Sequence, residues 1–154
     1  MTDLLITAAE VLETAFPSNE YVPEGMIVPA GIDTAQLGFL RPVFGKLYDK
    51  LGEEPYAAFC RTYIKPALAY YIRYLMVDEQ CAAIGAAGIR QNKSAYTEAV
   101  PDSRLHRLRR QARNDADTLL DKAIDYVENN PAMFPEYPKE NIRRRVLIKG
   151  GFIL

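Results

Sequence analysis

The stretch from Tyr63 to Val77 constrains this chain more than any other, because at helical spacing it carries two apolar stripes instead of one. The first stripe is Ile64, Leu68, Tyr71 and Leu75, and the second is Tyr70, Tyr74, Val77 and Cys81. Each advances by three or four residues, so the two stripes lie roughly a third of a turn apart on the helix. Such a helix needs apolar neighbours on two sides. We expect one neighbour to be the chain's own bundle and the other to be a second copy of the protein.

Length and composition favour a single soluble domain. The chain has 154 residues, enough to bury a core, and its formal net charge of -1 gives no overall attraction to nucleic acid or to an anionic membrane. No run approaches the ~20 apolar residues of a membrane-spanning helix, and the N-terminus lacks a secretory pattern. Cys60 and Cys81 each lie within an apolar helical pattern, which is typical of buried cysteines more than of a disulfide or metal pair. We therefore expect a cytoplasmic origin and no membrane partner.

The first half of the chain predicts two helices separated by an irregular segment. Thr7 and Glu10 form a capping box, which predicts a short helix from about Ala8 to Phe16. The prolines and glycines between residues 20 and 31 predict an extended arm or ordered loop. A second helix is expected to begin at Asp33 or Thr34 and to end at Gly52, with a kink or a fresh start at residue 42, a proline.

The second half predicts two longer helices and a short strand. Pro55 is expected in the first turn of a third helix that bends at Pro66 and continues to about Ile84. A strand is possible around residues 88–96, and a fourth helix is predicted from residues 101–103 to Asn129. No internal repeat is apparent. The predicted architecture is all-α, a bundle of about four helices over residues 1–138 followed by a C-terminal extension over residues 139–154.

No catalytic, cofactor or metal site is predicted. His106 is the only histidine, which excludes a site that needs two imidazoles from one subunit. Asp117, Asp121 and Asp125 follow each other at steps of four and could hold a hard cation, but no second acidic motif faces them. An ion-paired or solvated face is therefore expected there, and the tyrosines of the third helix are expected to supply core and interface area.

The charges of the fourth helix are arranged in the reverse of the order that the helix dipole favours. Arginines crowd its first half and carboxylates its second: Arg104, Arg107, Arg109, Arg110 and Arg113, then Asp115, Asp117, Asp121, Asp125 and Glu128. Three interpretations stay open: a solvated face, a contact between the two halves of different copies, and a contact with DNA phosphates. The candidate subunit-interface residues are Tyr70, Tyr74, Val77, Arg107, Arg110, Arg113, Asp117 and Asp121.

The C-terminal extension combines three consecutive arginines with a short apolar run of high β propensity. It is expected either to fold back on its own bundle or to add as a strand to the edge of a partner's sheet. The candidate docking residues are Ile142, Arg144, Val146, Ile148, Phe152 and Ile153.

Several motifs, taken in their order and spacing, resemble those of a known protein family. They are residues 32–36 leading into 42–48, residues 51–52, residues 63–71, residues 88–89, and residues 129–131 continuing to 134–137. Over about residues 32–137 the chain resembles the helical head-tail connector proteins of tailed bacteriophages, the neck-ring or adaptor subunits beneath the portal, in the versions carried by phages and prophages of Bacteroides-like bacteria. None of these motifs is specific alone, because each is a packing or capping signal.

The resemblance implies a homo-oligomeric ring of about twelve subunits in the virion neck, between capsid and tail. Such a ring extends the portal channel, binds the portal protein and the next tail or neck protein, and lets double-stranded DNA pass without reading its sequence. The C-terminal extension is then the candidate for portal docking. A non-enzymatic ring subunit is the leading hypothesis. The alternatives are a small DNA-binding regulator that uses Arg107 and Arg110, and an enzyme that uses the three aspartates with a metal.

Overall fold

The computed structural model describes residues 3–16, 22–85, 90–93, 96–99, 102–141 and 143. Within them the chain forms four α-helices and one short hairpin. Helix α1 is Ala8–Ala15 and helix α4 is Asp102–Asn129. Helix α2 covers residues 29–44 and consists of Pro29–Ala35, a π turn at Gln36–Leu40, and Arg41–Phe44. Helix α3 covers residues 57–85 and consists of Ala57–Phe59, a π turn at Cys60–Ile64, and Lys65–Gly85. Short 3₁₀ turns occupy Glu24–Met26, Gly45–Lys50 and Pro131–Met133. The all-α prediction is confirmed, and no helix in the described residues is both long and apolar enough to cross a membrane.

Helix α1 begins where its capping box predicts. The Thr7 side chain accepts a hydrogen bond from the Glu10 N–H at 3.2 Å, and the Glu10 carboxylate accepts one from the Thr7 N–H at 2.9 Å. These two bonds satisfy donors that the first turn of a helix leaves without partners.

Helix α2 begins and ends earlier than the sequence predicts. Val28 precedes it and Pro29 occupies its first turn, so Asp33 and Thr34 lie inside the helix and do not cap it. The Thr34 hydroxyl instead donates to the Ala30 carbonyl within the helix. The predicted arm is therefore wrong for residues 29–31, because a proline is as good a helix start as a capping side chain.

Gly45 ends α2, seven residues before the predicted stop at Gly52. Its φ of 52° and ψ of -124° lie outside the range that side-chain-bearing residues adopt readily, and the chain continues as the 3₁₀ turn Gly45–Lys50. The predicted third-helix start at Pro55 is likewise wrong by two residues. Helix α3 begins at Ala57, and Pro55 lies in the preceding turn after a cis peptide bond.

The predicted bends at the two helical prolines take the same form. In α2 the Arg41 N–H bonds to the Gln36 carbonyl, five residues back, directly before Pro42. In α3 the Lys65 N–H bonds to the Cys60 carbonyl, directly before residue 66, the second proline. Because proline has no N–H and its ring clashes with the preceding turn of a regular helix, a wider π turn just upstream accommodates it.

The two π turns also share a four-residue pattern that the sequence analysis did not recognise: aromatic, aliphatic, basic, proline. It is Phe39-Leu40-Arg41-Pro42 in α2 and Tyr63-Ile64-Lys65-Pro66 in α3. In both, the aliphatic residue is completely buried. The aromatic ring stacks on a tyrosine of the next helix, Phe39 on Tyr71 at 4.1 Å and Tyr63 on Tyr126 at 4.6 Å between centroids.

Helices α3 and α4 form an antiparallel pair joined by the hairpin. Strands β1 (Arg90–Lys93) and β2 (Tyr96–Ala99) pair antiparallel with Arg90 opposite Ala99, where the sequence predicts one short strand. Helix α4 then runs back along α3 over the bounds that its pattern predicts. Helices α1 and α2 pack on the other sides of α3.

Both apolar stripes of α3 are largely covered by the chain itself. In the first stripe Ile64, Leu68 and Tyr71 are completely buried. In the second stripe Val77 is buried, whereas Tyr70 and Tyr74 are half-buried; the Cys81 side chain lies outside the described part. The helix therefore finds most of its neighbours within one copy, and among the described residues of the two stripes a second copy has the exposed parts of Tyr70, Tyr74 and Leu75 to cover.

Candidate subunit interface

An aromatic and arginine cluster joins α2, α3 and α4, and it contains four of the predicted interface residues. Phe39 stacks on Tyr71 and meets the edge of Tyr74 at 6.2 Å between centroids. The Arg113 guanidinium from α4 lies 5.0 to 5.6 Å from the centroids of all three rings. A cation held over several rings is attracted by their negative faces, so this arginine is a structural contact as well as a charge.

The carboxylate of Asp117 connects this cluster to the C-terminal segment. It accepts hydrogen bonds from the Tyr71 hydroxyl and from Arg113 Nε. Arg143 Nη1 lies 3.3 Å from the same carboxylate, and Arg143 Nε lies 2.7 Å from the carboxylate of Asp121. One arginine from the predicted extension is thus held by two aspartates one turn apart on α4.

The ionisation of these groups follows from their surroundings. Burial raises the pKa of Tyr71, and its hydrogen bond to the Asp117 carboxylate raises it further. Burial alone would raise the pKa of Asp117, but the Tyr71 hydroxyl, Arg113 and Arg143 outweigh it and leave that pKa below its usual value. Desolvation likewise works against the Arg143 charge, but its carboxylate neighbours raise its pKa above the usual value. At neutral pH the cluster therefore contains a neutral Tyr71 phenol, an ionised Asp117 carboxylate and a charged Arg143.

The structure separates the predicted interface residues into two groups. Tyr74, Arg113, Asp117 and Asp121 make the intrachain contacts just described, whereas Tyr70 is half-buried against the hydrophobic core and Val77 is buried. Arg107 and Arg110 are exposed, and within the described residues neither makes a hydrogen bond, ion pair or ring contact. The expected ion-paired face on the aspartates is confirmed for Asp117 and Asp121, whose partners come from the same chain.

The sequence reasoning missed Phe39 and Arg143 as members of the cluster. The spacing of Phe39 before Pro42, repeated in Tyr63 before Pro66, was a usable signal for the aromatic contact. Arg143 carries no comparable local signal, because its partners lie more than twenty residues away on α4. The six predicted docking residues of the extension, Ile142, Arg144, Val146, Ile148, Phe152 and Ile153, lie outside the described residues.

The described residues do not contain a cluster suited to catalysis at a metal. No group of three or more histidine, cysteine, aspartate or glutamate side chains is arranged there to hold an ion. Cys60 is buried and reduced, and burial raises the pKa of its thiol to about 11, which keeps it protonated at neutral pH. His106, on the outer side of α4, is exposed.

Comparison with known proteins identifies a family without assigning an activity. Residues 38–145 match the model of a family of unknown function, DUF6712, which covers more than two thirds of the chain. The chain therefore belongs to that family. No curated protein and no solved structure matches it.

Proposed function

We propose that this member of the DUF6712 family is a non-enzymatic subunit of a bacteriophage head-tail connector ring, located in the virion neck between capsid and tail. Its resemblance to connector proteins spans residues 32–137, most of the region that defines the family match. The motifs behind the resemblance include a stretch inside α2, the two proline-containing stretches of α2 and α3 and the turn after α4, so they describe a helical scaffold. A scaffold that acts by assembly needs surfaces for partners and no reactive groups.

The observation that carries the proposal is the exposed arginine end of α4. Arg104, Arg107 and Arg110 are exposed, and in the described part of the chain they have no partner. A cation in the first turn of a helix, here Arg104, opposes the helix dipole, which costs a few tenths of a kcal/mol up to about 1 kcal/mol. A negatively charged partner surface offsets this cost, whereas the carboxylates of Asp117 and Asp121 are already paired with arginines of the same chain.

The proposed partners are further copies of this chain, the portal protein and the next tail or neck protein, with DNA passing through the channel unread. Arg143 supports a role for the C-terminal extension in docking, because its two aspartate contacts attach the start of that extension to α4.

The test is co-expression with the portal protein encoded in the same phage or prophage. Electron microscopy of the purified portal is expected to show an added ring of about twelve copies. A portal that purifies without the chain, in virions as well as in co-expression, contradicts the proposal.

A DNA-binding regulator is the second candidate, because the same three exposed arginines could contact phosphates. It predicts tight binding to duplex DNA that weakens steeply with salt and is lost when Arg107 and Arg110 are replaced by glutamate. The connector proposal predicts no such binding to free duplex. Filter binding over a salt series therefore separates the two candidates.

A further inference from the structure

The arginine end of α4 carries an exposed leucine as well as its charges. Leu108 is 37% exposed, a large fraction for an aliphatic side chain in the middle of a helix. Arg104 lies one turn before it and Arg107 directly precedes it, both exposed and both on the outer side of the helix. This end, called here the knob, is therefore an apolar side chain with two cations beside it. Arg110 is exposed too, but its position lies about 160° around the helix from Leu108, on nearly the opposite side.

A pocket whose charge is opposite to that of the knob lies where the N-terminal segment meets the start of α3. It has a volume of about 450 Å³ and a partly apolar lining that includes Leu4, which is 41% exposed. Three exposed acidic residues, Asp3, Asp49 and Glu53, also line it and are called here its acidic rim.

Acidic charge dominates the rim of this pocket. Within the described residues, none of the three carboxylates makes a hydrogen bond or an ion pair. Two cations also line the pocket: Lys65 is paired with Glu10 at 2.6 Å, and Arg61 is exposed. Among the charged residues of the pocket without an ion-pair partner, three are carboxylates and one is Arg61, so negative charges exceed positive ones by two.

The knob and the pocket lie at opposite ends of the α3–α4 pair. Arg61 in the pocket belongs to the start of α3, whereas Arg109 of α4 bonds to Tyr74, thirteen residues further along α3. At 1.5 Å per residue this is a separation of about 20 Å along the helix axis. Since α4 runs antiparallel to α3, Arg104 and Arg107 lie further still from the pocket. One copy cannot join its own knob to its own pocket.

We propose that the knob of one copy docks in the pocket of the next copy, with Leu108 on the apolar lining and Arg104 and Arg107 on the acidic rim. The contact uses two different surfaces, so it is head-to-tail, and head-to-tail contacts close into rings when the rotation between copies allows. The inference deepens the proposed function by naming the contact between subunits. The head-to-tail contact itself does not depend on the proposed function; only its closure into a connector ring rests on that function.

Two complementary variants test the head-to-tail contact. One variant carries Arg104→Glu and Arg107→Glu, which reverse the charge of the knob and leave the pocket intact. The other carries Asp49→Lys and Glu53→Lys, which reverse the charge of the pocket at two positions and leave the knob intact. All four positions are exposed, so folding is expected to be unaffected, and circular dichroism verifies this. Self-association is measured by sedimentation equilibrium at high protein concentration and low ionic strength, where exposed charges are least screened.

The wild-type chain is expected to associate, and each variant alone to associate at least about tenfold more weakly, because like charges then face each other. The mixture is expected to associate again, because the glutamate-bearing knob then faces the lysine-bearing pocket as an opposite-charge pair and the intact knob still faces the intact pocket. Arg110→Glu, a single arginine-to-glutamate replacement outside the knob, is the control and is expected to associate like the wild type. A monomeric wild type, or a mixture of folded variants that associates no better than either variant alone, overturns the inference.

The two proposals fail in different ways. If the wild type and both variants add to the portal equally well, the knob contact is wrong and the connector function stands. If the variants behave as expected in solution but the wild type does not join the portal, the head-to-tail contact stands and the connector function is wrong.

Discussion

Replacing Tyr71 with phenylalanine isolates one hydrogen bond of the aromatic and arginine cluster. The Tyr71 ring is completely buried and its hydroxyl lies 2.5 Å from Asp117 Oδ1. The substitution keeps the ring stacked on Phe39 and removes only the donor, so packing changes little. The loss of stability therefore reports the bond between a buried phenol and a carboxylate.

The expected magnitude follows from the surroundings of the two partners. Hydrogen bonds to charged groups contribute about 1.5–3 kcal/mol, and the Asp117 side chain is 30% exposed and keeps two arginine partners, so the lower end applies. We expect Tyr71→Phe to lower the free energy of unfolding by about 1.5 kcal/mol at neutral pH. For a chain of this length that corresponds to a fall in Tm of about 3–6 °C.

The loss should depend on pH in a defined direction. The pKa of Asp117 in the folded state lies below its usual value of 3.8, so its contacts stabilise the fold fully above that value. The stabilisation is lost as the pH falls through the folded-state pKa and Asp117 becomes protonated. The difference between wild type and Tyr71→Phe is therefore expected to be constant near neutral pH and to shrink at strongly acidic pH.

Urea denaturation followed by circular dichroism measures both effects. Tyr70→Phe is the matched control, because Tyr70 is the neighbouring tyrosine of α3 and its hydroxyl has no hydrogen-bond partner within the described residues. It is expected to change stability by less than about 0.5 kcal/mol. Equal losses for the two variants at neutral pH, or a Tyr71→Phe loss that persists undiminished in acid, would refute the reasoning.

Three further predictions concern other parts of the fold. Gly45→Ala is expected to lower the free energy of unfolding by about 1–3 kcal/mol, because the backbone at Gly45 has a φ of 52°. Gly38→Ala is expected to raise the free energy of unfolding by about 0.4–1 kcal/mol, because Gly38 lies in a helical turn with open space around it. Chemical denaturation of both variants checks the opposite signs. The Glu136 carboxyl is expected to titrate near pH 2 because Lys50 bonds to it, and Lys50→Met should move that midpoint toward 4.5 in carbon-detected NMR; an unmoved midpoint contradicts the pairing. Thr7→Ala should cost about 1 kcal/mol by removing the capping box of α1, and thermal denaturation would show no shift if that cap were unimportant.

Local signals predicted the fold well where they depend on neighbouring residues. The capping box at Thr7 and the apolar spacing of α4 gave element bounds that the structure confirms. Asp33 and Thr34 misled the prediction, because a capping residue is equally possible inside a helix when Pro29 already supplies a start. The stop at Gly52 was wrong for a related reason: Gly45 also permits a break, and only its backbone conformation shows which glycine is used.

The candidate interface was harder to predict because its contacts are long-range. The sequence showed that Asp117 and Asp121 share one side of a helix, but it did not show that Arg143 returns to them. The two apolar stripes of α3 indicated two neighbours correctly, yet the periodicity of one helix does not say whether a neighbour belongs to the same copy. Tertiary packing decides that question, as the burial of Tyr71 and Val77 within one chain demonstrates.

The paired π turns have a consequence for how this protein can change length during evolution. Each holds one residue more than a regular helix of the same span, so deleting a residue from Gln36–Leu40 or Cys60–Ile64 would make the helix more regular. The flanking turns would stay nearly in their present register, but Pro42 and Pro66 would then follow a regular helical turn, with which a proline ring clashes. Relatives that preserve this scaffold should therefore retain the additional residue at both places, even though a helix without it would have more regular hydrogen bonding.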